Sequence, residues 1–305
     1  MIAAAWLWIP VTIWAAFAQT LRNAAQRHLV ADLGTLGATL VRFLYGLPFA
    51  LLWLLAVRSF GGFPLPALPA GFLGWVLLGA LTQIAATALL LKVMAERNFT
   101  LGVAYSKSEI LQVAVFGFMF LGDAVSAAAA VAILLGTLGV LLLSPADKAR
   151  PIRGLLTGWT SRSALFGLAS GTGFALSAVG FRGAALSLGD TPFPMAAAAT
   201  LVVAQAIQTL ALGGWLLVRH RGIVLRVLRA WRTSMFAGFM GAAASAGWFT
   251  AMAIEPAAHV RTLGLIELLF SYAVSRKLFR ERFERRELTG IALLCLGLIV
   301  VVLGR

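Results

Sequence analysis

Tyr105-Ser106-Lys107-Ser108-Glu109-Ile110-Leu111 and Leu263-Gly264-Leu265-Ile266-Glu267-Leu268-Leu269 are the two stretches on which the reading of this chain turns. Each sets a carboxylate inside an apolar run, and Glu267 follows Glu109 by 158 residues. The same offset, taken without gaps, lays Asp32 on Asp190, Met94-Ala95 on Met252-Ala253, and Leu111 on Leu269. It also lays Asp123 on Glu281, Ile133 on Ile291 and Gly139 on Gly297. Apolar coincidences are cheap in such a composition. Acidic ones are not, because the chain has only 11 Asp and Glu and six of them pair at this one offset. A repeat of this length holds five membrane helices. An odd number sends the two copies across a bilayer in opposite senses, the arrangement of an inverted-topology repeat.

Working outward, the 305 residues are 61% hydrophobic and 12% charged, with a mean hydropathy of +0.93. A soluble domain is about half apolar and about a quarter charged, so the expected class is an all-α integral membrane protein. A span needs roughly 20 apolar residues. Runs punctuated by Gly, Pro and charge predict ten helices, over 3–22, 34–57, 71–95, 99–120, 124–143, 163–186, 193–218, 235–254, 257–278 and 288–303. The expected organisation is a first five-helix repeat over 1–147, a basic linker over 148–162 and a second five-helix repeat over 163–305. Pro10 and Pro48 fall inside the first two helices, where proline tends to kink. Residues Met1 to Ala18 end like a signal-peptidase site. Without a Lys or Arg between positions 2 and 21, however, the stretch reads as the first membrane helix.

The charge is strongly positive, 25 Lys and Arg against 11 Asp and Glu. The basic residues sit in short connections, where they set orientation, and do not point to nucleic acid. Connections after helices one, three, five, seven and nine carry 19 of them and the opposite side 3. The bias places both termini outside the cytoplasm of a bacterial-type plasma membrane, with loops 144–162, 219–234 and 276–287 cytoplasmic. The single cysteine, Cys295, permits no internal disulfide, and no His, Cys or Asp group has metal spacing. No metal and no cofactor are expected.

An ionisable group at mid-helix costs about 2.5–3.5 kcal/mol on insertion scales, so each one requires a reason. Arg42 falls in the second predicted helix. Tyr105, Lys107 and Glu109 fall in the fourth, and Arg261 and Glu267 in the ninth, its repeat-mate. Glu109 and Glu267 are the candidates for proton coupling or substrate binding, since a carboxyl in a dry pocket exchanges protons near neutrality. Arg42, Lys107 and Arg261 could grip a substrate carboxylate or phosphate, with Tyr105, Gln83, Trp14 and Trp248 lining the same site. The bland alternatives are permanent pairing of the acids with these cations, snorkelling of Lys107 and Arg261 to the headgroups, and ordinary packing of the tryptophans. Lys107 and Glu109, two apart on a helix, point to nearly opposite sides and are not expected to neutralise each other.

Ten helices in two inverted halves, with an acid in the fourth helix of each, resemble the drug/metabolite transporter (DMT) superfamily, specifically its EamA-type permeases. The likeness is carried by Ser108-Glu109 within Ser106–Gly117, Phe120-Leu121-Gly122-Asp123, Gly136 and Gly139, and in the second copy by Glu267, Phe279-Arg280-Glu281, Gly290 and Gly297. It covers essentially the whole chain through loose motifs. It implies a central cavity lined by both halves, peripheral helices five and ten, and proton-coupled or exchange transport. Two departures stand out. Lys107-Ser108 takes the place of a proline usual before the first acid, and the Lys/Arg bias places the termini opposite to the family's usual orientation.

The expected function is therefore a secondary active transporter, exporting a small polar organic metabolite such as an amino acid by alternating access. Its expected partners are that substrate, protons and the lipid bilayer, with the chain a monomer or homodimer. The alternative within the class is a proton-coupled exporter of cationic drugs or amines. A membrane-embedded enzyme using Ser170 and His259 is disfavoured, because Gly167-Leu168-Ala169-Ser170-Gly171 lacks the glycine needed two residues before the serine.

Overall fold

The computed structural model describes residues 2–96, 103, 106–122, 127–143, 162–279, 289, 292–293, 296–297 and 299–300. Every element formed by these residues is a helix. Among them, five helical segments are long and apolar enough to cross a membrane: Trp6–Gly61, Ala70–Glu96, Phe193–Arg219, Trp231–Ile254 and Ala257–Val274. The protein is thus all-α and built from membrane-length apolar helices. The basic linker, loop 144–161, most of loop 276–287, the tenth predicted helix and Tyr105 lie outside the described residues, wholly or for the most part.

The first departure from expectation is at the N-terminus. A connection is expected over 23–33, yet α1 runs from Ile2 to Leu44, and the chain bends only at Gly34 (φ 70°, ψ 171°). Asn23 to Leu33 is rich in Ala, Leu, Gln and Arg, good helix formers, so the helix continues until a residue without Cβ permits the turn. The two arms fold back on each other there. Gln26 Nε2 donates to the Ala38 carbonyl at 2.7 Å, across 12 residues that a straight helix would hold about 18 Å apart. Replacing Gly34 by alanine should cost about 1–3 kcal/mol of stability, because a Cβ must then occupy a left-handed conformation. Thermal unfolding of purified protein checks this, and an unchanged midpoint would remove the turn from the account.

The second predicted helix is likewise interrupted. The chain leaves the helix at Tyr45-Gly46, and α2 (Leu47–Gly61) restarts with Pro48 in its first turn. Pro48 therefore opens a helix instead of kinking one, where its missing N–H costs little.

Next come α3 (Ala70–Glu96), α4 (Glu109–Leu121), α5 (Ala127–Leu143) and α6 (Arg162–Ser187). α3 and α6 touch backbone to backbone: a Cβ on Gly180 would stand 2.8 Å from the Gly79 nitrogen and 2.9 Å from its Cα. Small residues permit this approach, the usual basis of helix association where the hydrophobic effect is absent.

α7 (Phe193–Gln208) passes through a π-helical turn, Thr209–Gly213, into α8 (Gly214–Arg219). The expected loop over 219–234 instead contains a short helix, α9 (Arg221–Arg229), with Val227 buried and Leu225 and Leu228 exposed. The Tyr45 hydroxyl donates to the Val227 carbonyl at 3.1 Å and pins it to the body.

α10 (Trp231–Ile254) lies along both arms of α1. A Cβ on Gly247 would meet Ala15 Cβ at 2.8 Å, and one on Gly241 would meet Arg42 Cγ at 3.3 Å and Arg22 Cδ at 3.4 Å. The ninth predicted helix is two helices, α11 (Ala257–Leu263) and α12 (Ile266–Phe279), separated by the turn Gly264-Leu265.

Candidate functional site

The two acids occupy matched backbone settings. Glu109 is the first residue of α4, directly after the turn Lys107-Ser108, and Ile110 N donates to Lys107 O at 3.2 Å. Glu267 is the second residue of α12, directly after Gly264-Leu265, and its N donates to Gly264 O at 3.0 Å. Each carboxylate sits in the first turn of a helix, where the dipole favours negative charge. Close neighbours hold both breaks. A Cβ on Gly171 of α6 would collide with Ser108 Oγ and stand 3.1 Å from the Glu109 nitrogen, and one on Gly264 would meet the Trp248 ring at 2.5 Å.

Glu267, 1% exposed, is the best-satisfied group of the cluster. Its Oε2 accepts from Gln19 Nε2 at 2.7 Å and pairs with Lys107 Nζ, while Oε1 accepts from Asn23 Nδ2 at 3.0 Å. The amides are themselves held. Trp248 Nε1 donates to Gln19 Oε1 at 2.9 Å, and Arg22 donates to Asn23 Oδ1 through Nη2 at 2.7 Å and Nε at 3.2 Å. A cation and two amide donors thus converge on one enclosed carboxyl, the arrangement a charge needs once it has left water.

Glu109 is also buried but more loosely held. Its Oε1 lies 3.7 Å from Lys107 Nζ and 3.6 Å from Arg261 Nη1, ion-pair distances without a close hydrogen bond. The Lys107–Glu109 contact corrects the expectation that they point apart. The helix is broken at Lys107-Ser108, so regular helical geometry does not apply there. The closer partner of Lys107 is Glu267, on another helix.

Arg42 and Arg261 are 2% and 5% exposed and Lys107 is equally enclosed, so none of the three snorkels to a surface. Arg42 Nη1 donates to Thr87 Oγ1 at 3.0 Å. Arg261 lies over the Trp248 ring, 4.7 Å from its centroid, a cation–π distance. Gln83 stands apart from the acids, paired with Gln208, whose Nε2 donates to its Oε1 at 2.8 Å. Trp14 is 49% exposed and packs on Phe17 at 6.1 Å between ring centroids, so the structure places it outside the cluster. His259 pairs with Glu255 four residues earlier, Nδ1 to Oε1 at 2.6 Å, and takes no part.

Gln19, Arg22 and Asn23 are members that the sequence reading misses. Arg22 is assigned by its position in the sequence to a surface connection, yet it is 1% exposed and meets Arg42 across Gly241. A signal for them exists: Gln19, Arg22, Asn23 and Gln26 recur at i, i+3, i+4 and i+7, a polar stripe with the helical period. Arg22, Arg42, Lys107 and Arg261 thus face Glu109 and Glu267 in one buried assembly, two more cations than acids among the described residues. Arg22 Nη1, Arg42 Nε and Arg261 Nε have no hydrogen-bond partner there. Buried donors of this kind are costly to leave unmade. Such an arrangement offers charged and hydrogen-bonding groups to a polar solute. No group of three or more His, Cys, Asp or Glu able to hold a metal occurs among the described residues.

No known family model matches the chain, and no curated protein does. Twenty-seven solved chains match it in fold. One, described only as "Crystal structure of protein", superposes with a TM-score of 0.64 over 99% of this chain and 97% of its own, at 15% identity. A likeness at that identity concerns the fold alone, which the two chains share from end to end.

Proposed function

We propose that the chain is a secondary carrier, an EamA-type permease of the DMT superfamily, exporting a small polar organic metabolite, amino acids among the candidates. On this reading, ten helices form two inverted halves, 1–147 and 163–305, in a bacterial-type plasma membrane. They alternate access around a site between them. The chain itself catalyses no reaction.

One observation carries the reading: the buried ionic assembly joins residues from both halves, Gln19, Arg22, Asn23, Arg42, Lys107 and Glu109 with Trp248, Arg261 and Glu267. A soluble fold has little reason to bury six ionisable groups together. In carriers, broken helices present their ends to a site near the membrane midplane, and Glu109 and Glu267 each follow such a break. Protons are the candidate coupling ion, with Glu109 and Glu267 the candidate carriers.

Flux into proteoliposomes tests the site. Glu267→Gln and Arg42→Ala should each reduce counterflow of the transported solute to background at wild-type reconstitution levels. An exporter of cationic drugs or amines, relying on the acids alone, would tolerate Arg42→Ala. Unchanged flux in both variants would overturn the assignment.

A further inference from the structure

The cation excess has a consequence for what is carried, and this inference rests on the carrier reading above. We infer that the solute is a small organic dianion, a dicarboxylate or a phosphate monoester, bound between Arg22 and Arg42 with Arg261 beside them.

Lys107 is committed to Glu267, and Arg261 shares Glu109 with it. Arg22 and Arg42 have no carboxylate of their own among the described residues. Arg22 donates to an amide oxygen and Arg42 to a hydroxyl. Each keeps one guanidinium nitrogen unpartnered, Nη1 on Arg22 and Nε on Arg42, although the two side chains are 1% and 2% exposed. Their aliphatic stems close on one point of α10, where a Cβ on Gly241 would stand 3.3 Å from Arg42 Cγ and 3.4 Å from Arg22 Cδ. Two like charges held together in an apolar protein repel, and burial without a counter-charge is expensive. A ligand with two negative charges removes both penalties and supplies acceptors for the unmade donors. Guanidinium forks suit carboxylate and phosphate oxygens. A zwitterion brings no net charge to offset the excess, and an amine adds to it.

Equilibrium binding to the purified full-length protein tests this separately from flux, since a ligand of the native state raises the unfolding midpoint with the logarithm of its concentration. The probes are succinate, glycerol 3-phosphate, lactate, alanine and putrescine. Succinate or glycerol 3-phosphate should stabilise the wild type and bind about tenfold or more tighter than lactate, and the comparison between them separates dicarboxylate from phosphate. Arg42→Gln should abolish that preference for two charges over one, and Arg42→Lys should retain part of it. A purely structural arginine would lower the midpoint without moving the ratio. Stabilisation by alanine or putrescine but by neither dianion overturns the inference and leaves the carrier reading standing, as does silence from every probe on wild-type protein. Dianion binding without counterflow would leave the two-arginine anion site standing and overturn the carrier reading.

Discussion

Purified Glu267→Gln protein should unfold about 3–5 kcal/mol more easily than wild type, the cost of leaving one member of a buried ion pair uncompensated. Glu267 is the acceptor on which Lys107, Gln19 and Asn23 converge, and through the amides it also fixes Trp248 and Arg22. The substituted amide would retain one acceptor oxygen for three donors and add an N–H₂ group facing a lysine. Glu109 would then be the one acid left among four buried cations in the described assembly. The matching change at the other acid, Glu109→Gln, should cost less than half as much. Its cations lie at 3.6 and 3.7 Å, beyond close hydrogen bonding, and Lys107 would still have Glu267. Chemical denaturation in one detergent compares the two. Equal costs would mean that the network on Glu267 adds nothing beyond charge.

That Glu109, Glu267, Arg42, Lys107 and Arg261 share one assembly was legible in the sequence for a simple reason. A charge inside an apolar run has a large desolvation cost, and the sequence records the cost even where it hides the partner. The converse explains what the sequence hides. Arg22 stands at the edge of an apolar run, where a first charge ordinarily marks a helix end, so it reads as a surface residue. Only the turn at Gly34, 12 residues later, makes it internal. The breaks before the two acids are unequal in the same sense. Gly264 signals one of them, whereas Lys107-Ser108 has neither glycine nor proline and is held open by the close passage of Gly171. α9 reads as a loop because five arginines across 219–232 mask the apolar positions Ile223, Val224 and Val227 that seat it. In each case tertiary packing, absent from a local pattern, decided the structure.

Combining Lys107→Gln with Glu267→Gln should restore most of the stability lost in Glu267→Gln alone, while leaving transport at background. The two changes remove one positive and one negative charge, so the assembly keeps its excess of two cations. Lys107 is no longer there to be stranded. Two facing amides can hydrogen-bond each other in place of the ion pair and still offer an oxygen to Gln19 and Asn23. Residues in direct contact within one network show coupling of about 0.5–3 kcal/mol, and a buried charge pair belongs at the upper end of that range. The double variant should therefore be at least about 2 kcal/mol more stable than additivity allows. Transport follows a different logic. If Lys107 and Glu267 only stapled α12 to the turn before α4, an amide pair would serve, and counterflow would return along with stability. If they must part and reform as the carrier changes state, neutral amides remove the charge that drives the exchange, and a well-folded protein stays inactive. Recovery of both properties would make the pair a structural staple and shift the functional argument to Arg22, Arg42 and Glu109. Recovery of stability alone keeps the pair in the transport cycle.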